Sequence, residues 1–149
     1  MNGERFRIKF AVYLVLRKDD QVLLSKRQGT GWKDGWYSLV AGHVDGGEAG
    51  EVAMVREARE EAGITVEVGD LRHVFTMHRL GSDSTDEYVD LFFECRKWMG
   101  DVNNCEPQKC AELTWVDIDD LPEDTLDYIK YVLEEYPKQQ RTYVSMRGE

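Results

Sequence analysis

The run from Gly42 to Ile64, GHVDGGEAGEVAMVREAREEAGI, constrains this chain more than any other feature, because a glycine-rich loop leads straight into a helix carrying Glu57, Glu60 and Glu61. Spacings of three and four residues bring those carboxylates onto one helical face. Like charges so placed repel by roughly 0.2–0.5 kcal/mol per pair. The local sequence interleaves too few cations to cancel them, so a positive partner from outside the chain is expected. Oxygen-only ligands suit Mg²⁺ or Mn²⁺ rather than Zn²⁺. Val52, Val55, Ala58 and Ala62 recur at helical spacing and predict the packing face. Gly63 reads as a left-handed C-cap, with Ile64 resuming core contact. The glycines ahead of the helix allow backbone groups close to a metal or phosphate, and Glu48 stands where the helix dipole favours an anion.

The rest of the chain alternates strand and turn signals. Arg7 to Leu16 and Val22 to Ser25, joined by Lys18-Asp19-Asp20-Gln21, predict a hairpin. A glycine-rich loop from Gln28 to Gly35 precedes a strand over Trp36 to Val40. Strands are expected over Thr65 to Val68, Leu71 to His78, Tyr88 to Cys95 and Leu113 to Ile118, with a polar turn at Gly81 to Asp86 and an acidic loop at Gly100 to Gln108. Leu126, Ile129, Val132 and Leu133 follow Pro122 at helical spacing and predict a second helix over Thr125 to Glu135. The polar tail, residues 138–149, has little to bury and is expected to fray.

Composition narrows the function classes. The chain has 149 residues, 42% of them hydrophobic, enough for one domain with a sizeable core. Its formal charge of −10, from 19 Lys+Arg against 29 Asp+Glu, argues against a polymeric nucleic-acid surface. Phe10 to Leu16 is too short to span a membrane and no signal-peptide pattern precedes it, so the cytoplasm is the expected compartment. Cys95, Cys105 and Cys110 form neither an even set nor a CxxC knuckle, which favours free thiols. No spacing singles out a covalent nucleophile.

The Gly42–Ile64 run resembles the signature of the Nudix hydrolases: glycine, five residues, glutamate, seven residues, then Arg-Glu-aliphatic-x-Glu-Glu-x-Gly-aliphatic. Gly42, Glu48, Arg56, Glu57, Glu60, Glu61 and Gly63 fill the fixed positions, with Ala58 and Ile64 in the aliphatic slots. Many relatives carry proline and glycine before the motif glycine, where this chain has Leu39-Val40-Ala41. The resemblance implies an α+β domain over residues 1–137, an α/β/α sandwich with a mixed β-sheet between helices. It implies Mg²⁺ or Mn²⁺ held by Glu57, Glu60 and Glu61, with the Gly42 carbonyl a further candidate, and Arg56 orienting Glu48 or Glu60. Candidates for the base that deprotonates water are Glu48, Glu60, Glu61 and a later carboxylate, Glu106 before Glu112. Arg27 matches a phosphate-binding arginine of MutT-like members, and Trp32 or Trp36 is placed to stack on a base. Phe75, His78 and Tyr88 are further strand residues for the cleft.

The expected reaction is hydrolysis of a nucleoside triphosphate, oxidised or noncanonical forms included, to a monophosphate and pyrophosphate. ADP-ribose, a dinucleoside polyphosphate or another diphosphate linked to a group X is the alternative, and a non-catalytic nucleotide-binding module the third reading. The expected partner is a small nucleotide; homodimer formation stays open.

Overall fold

The computed structural model describes residues 3–147. Strand β1 (Lys9–Lys18) is an almost unbroken apolar run, and it is buried on both faces. Alternation explains how one strand serves two cores. Ala11, Tyr13 and Val15 join one cluster, while Val12, Leu14 and Leu16 join the other. After the turn at Asp19 and Asp20, β2 (Gln21–Arg27) pairs antiparallel with the end of β1. The segment expected as one strand from Trp36 is two: β3 (Tyr37–Ser38) pairs with β2, and β4 (Val40–His43) pairs with β1. The chain changes partner at Leu39, and Ala41 sits in the β4 ladder with no positive φ.

Helix α1 (Gly50–Ala62) follows and ends at Gly63, whose φ of 68° is the left-handed cap expected there. Its packing face differs from expectation. Ala53, Met54, Ala58 and Ala62 are buried, whereas Val52 is an exposed residue. The stripe that meets the sheet starts at Met54 and Ala58, so Val52 is rotated to its solvent edge and Glu61, seven residues after Met54, lies on the stripe itself. Residues expected as a strand after Ile64 form only a Thr65–Met99 bridge and a 3₁₀ turn, Val68–Asp70.

Strands β5 (Leu71–Leu80), β6 (Tyr88–Cys95) and β7 (Cys110–Asp117) and helix α2 (Asp127–Glu135) match the expected order. The tail departs from it. Rather than fraying, β8 (Tyr143–Arg147) pairs parallel with β5, burying half of Val144 and Met146 against the core. Alternating apolar residues made that possible, and an open β5 edge supplied the hydrogen bonds. Gly148 and Glu149 lie outside the described residues. The eight strands form one mixed sheet, β3-β2-β1-β6-β5-β8, with β4 on β1 and β7 on β2. Helix α1 covers the Val12–Leu16 face and α2, through Ile129, Val132 and Leu133, the other. This is the α/β/α sandwich. Among the described residues, no helix is long and apolar enough to cross a membrane.

Candidate active site

The carboxylates of α1 meet the sheet at β4. A Cβ on Gly42 would collide with the Glu57 carboxylate, so glycine is required there to admit it. Gly42 lies opposite Val12, in the same ladder phase as the Val44 N–H to Phe10 carbonyl bond, so its carbonyl is engaged by β1 through one lone pair. Ala41, in the opposite phase, turns its N–H outward and donates it to Glu61.

Arg56 holds much of this cluster. Its Nε and Nη2 donate to both oxygens of Glu48, each at 2.9 Å, a bidentate pair. Nη1 donates to Glu57 at 2.8 Å and to Glu60 at 3.3 Å, and Nη2 also donates to the His43 carbonyl. The guanidinium thus ties loop, strand and helix together, as its spacing from Glu48 and Glu60 allowed. Its hydrogen bonds hold Glu48 down at about 2.

Glu61 has the opposite environment. Burial on the packing stripe pushes its carboxyl up to about 9, reinforced by the hydrogen bond and charge of Glu57 and by the charge of Glu106. Glu106 reaches this neighbourhood because its loop docks on the end of α1. Asn103 and Cys105 donate backbone N–H groups to the Ala62 and Glu61 carbonyls, satisfying the helix's last acceptors. Asn104 then fixes the turn by accepting the Glu106 N–H and donating to the Cys110 carbonyl. Glu112 instead accepts from Tyr37 at 2.8 Å.

A half-buried carboxyl against a second one, with a third in its field, is an arrangement that a bound cation would relieve. The hard oxygen donors and the glycine cradle fit a divalent metal ion. Among the described residues, however, no three acidic, histidine or cysteine side chains are pre-assembled as a metal cage. Arg56 draws Glu48, Glu57 and Glu60 toward itself.

On the other face of β4 opens a cleft of about 630 Å³, within the usual range for a small-molecule site. Gly42 and His43 form its edge, so carboxylates and cleft share one strand. Arg27, Trp32 and Trp36 all line it. Arg27 stacks on the Trp32 ring at 5.1 Å and donates to the Trp32 carbonyl and the Thr30 hydroxyl, pinning the glycine-rich loop. Tyr88 lines the cleft as expected, while Phe75 is fully buried core and His78 pairs with Glu87.

Sequence reasoning missed the floor. Arg79 lies between the Tyr88 and Tyr128 rings, 4.2 Å from each, and donates to Asp90 at 2.9 Å and to the Tyr13 hydroxyl at 3.3 Å. Burial raises Asp90, and the Arg79 charge opposes that rise. The available signal was phase: Asp90 alternates with Phe92, and Arg79 with Met77 and Phe75, so opposite charges sit on the apolar face of consecutive strands. All three cysteines are free thiols, with only Cys105 exposed.

The fold has counterparts among known proteins. The NUDIX domain family matches residues 5–136. An ADP-ribose pyrophosphatase of Methanocaldococcus jannaschii is 30% identical over 122 residues, 82% of this chain and 69% of that protein. The NAD-capped RNA hydrolase NudC of Escherichia coli is 32% identical over 111 residues, 74% of this chain but only 40% of its own length. Among solved structures, a MutT NUDIX hydrolase from Burkholderia pseudomallei superposes with a TM-score of 0.79 at 25% identity, covering 87% of this chain and 98% of that one. A family match over most of the chain, with the glutamate motif intact on its loop and helix, means that the chain belongs to the Nudix family and is a Nudix pyrophosphohydrolase.

Proposed function

We propose that the chain hydrolyses a nucleoside triphosphate to the monophosphate and pyrophosphate, with Mg²⁺ or Mn²⁺ as cofactor. The observation that carries this reading is the charge of the cleft. Arg27, Lys33, Arg79 and Arg147 line it against Asp86 and Asp127, and with Asp90 paired to Arg79 beneath the lining the balance is four cations to three anions in a chain of net charge −10. Such a cleft concentrates a small polyanion.

Glu57, Glu60 and Glu61 would hold the metal, with the second lone pair of the Gly42 carbonyl available to it. When bound, the ion neutralises phosphate oxygens and lowers the pKa of water. Glu106 accepts a proton from the attacking water as the water oxygen bonds to phosphorus, and the bond from that phosphorus to the bridging oxygen breaks, the bridging oxygen leaving on the other product of the monophosphate and pyrophosphate pair. Glu48 holds Arg56, and Arg56 fixes the directions of Glu57 and Glu60. Arg27 binds the substrate through phosphate, and Trp32, against which Arg27 stacks, closes the cleft beside it. Glu112, committed to Tyr37, is not used.

A second reading, ADP-ribose hydrolysis, is favoured by the archaeal relative, whose name states that activity. A panel of triphosphates and ADP-ribose with Mg²⁺, read by product identity, tests both. Orthophosphate that appears only after inorganic pyrophosphatase is added supports the first. Direct orthophosphate release, which means cleavage of the terminal phosphate, overturns the first, and a kcat/KM for ADP-ribose above that of every triphosphate overturns it in favour of the second.

A further inference from the structure

The strand β8 lies beyond the residues that match the family, which end at 136. It is nevertheless part of the cleft. Its parallel register sets Met146 beside Arg79 and Arg147 beside Leu80, and both β8 residues line the cavity. Arg147 also donates from Nη1 to the Gly81 carbonyl at 3.1 Å, tying the strand to the turn after β5. Met146 is half-buried against the core that carries Tyr88.

Strand order gives the distance between this wall and the carboxylates. From β4 the sheet runs through β1, β6 and β5 to β8, which is four strand steps. At ~4.8 Å per step, β8 stands about 19 Å from Gly42 across the sheet. A scissile phosphoanhydride held at Gly42 and Glu57 leaves that span for the remainder of the substrate. From this we infer that β8 is a specificity element that contacts the substrate end farthest from the cleaved bond, the nucleoside end. Met146 supplies a polarizable apolar surface for a base, and Arg147 supplies donors for its ring or carbonyl acceptors. This inference rests on the nucleotide reading above, although it does not depend on which nucleotide is cleaved.

The test uses the full chain, Met146→Ala and Arg147→Ala, with AMP, GMP, CMP and UMP as probes of binding. Trp32 and Trp36 line the cleft and report occupancy by fluorescence. Monophosphates contain no anhydride, so binding is read separately from hydrolysis. For the best monophosphate, Kd should rise about tenfold in each variant and the differences among the four bases should shrink. On the preferred substrate, KM should rise about as much while kcat stays within about twofold. Met146→Leu should restore selectivity. Should Met146→Ala fail to fold, the exposed Arg147 carries the test. Unchanged Kd and base preference in Arg147→Ala and any folded Met146 variant, lost kcat at constant KM, or no monophosphate binding by the parent chain overturns the inference. A preference for ADP-ribose would overturn only the triphosphate reading; the same comparison is then made on its KM.

Discussion

Replacing Glu61 by glutamine separates the charge of this carboxyl from its packing. Desolvation on the α1 stripe, with Glu57 facing it, pushes its carboxyl up to about 9 from an ordinary 4.5. A carboxyl raised in the folded state contributes fully below the unfolded pKa and loses that contribution as pH rises toward the folded one. Between those limits the native state holds one more proton than the unfolded chain, so stability falls by ~1.4 kcal/mol per pH unit. From pH 5 to pH 7 the loss is about 3 kcal/mol. Glutamine keeps the shape and can donate to Glu57 as the protonated acid does, without titrating. In EDTA, Glu61→Gln should therefore melt close to the parent at pH 5 and higher at pH 7, by roughly 6–12 °C for a chain of this size. Calorimetric melts at several pH values measure the difference, and titrating groups remote from Glu57, Glu61 and Glu106 cancel in it. Its kcat with Mg²⁺ should fall by two orders of magnitude or more. A pH-independent difference, or a variant less stable than the parent at pH 8, would refute the electrostatic account. Near-normal kcat would refute the metal assignment.

Other outcomes follow from the same geometry. EDTA should abolish turnover and Mg²⁺ or Mn²⁺ restore it; undiminished hydrolysis in metal-free buffer would contradict the divalent requirement. Gly42→Ala should cut kcat at least tenfold while the circular-dichroism spectrum is kept, since its Cβ displaces the Glu57 carboxylate. Arg56→Lys removes the two-point grip on Glu48, and a kcat loss of about tenfold or more at little changed KM is expected in steady-state assays. Trp32→Ala should raise KM with kcat unchanged, the mark of lost uniform binding.

The motif made the chemistry legible because fixed spacing on one helix dictates which side chains share a face. It could not give the rotation of that helix against the sheet. Val52 and Met54 are both apolar, and only the approach of β1 decides which of them is buried. That rotation also half-buries Glu61, so the property that distinguishes it from the exposed Glu60 comes from packing. The acidic loop was legible as a loop, but the placement of Glu106 depends on Asn103 and Cys105 reaching the open carbonyls of α1. The tail departs from its polar sequence for a related reason. Tyr143 to Arg147 bury only alternate residues, and their pairing partner lies more than sixty positions upstream on β5.

The same topology separates what the family motif sets from what it leaves open. Strand β1 is buried on both faces and meets the cleft through Ala11 and Tyr13, so most of the working surface falls to the strands around it. In β4, alternation turns Gly42 toward the Glu57 carboxylate and sends Ala41 and His43 into the cleft, so one short strand joins the metal-binding side to the substrate side. Every element that fixes the carboxylates belongs to the β4–α1 unit or to the loop docked on it. The far wall is built by β5, β6 and β8, whose side chains can change without moving that unit. Substitutions on the far wall should therefore redirect the substrate while sparing the reaction, and substitutions around β4 should do the reverse. A far-wall variant that abolished kcat on every nucleotide while keeping its melting temperature would show that the two sides are not independent.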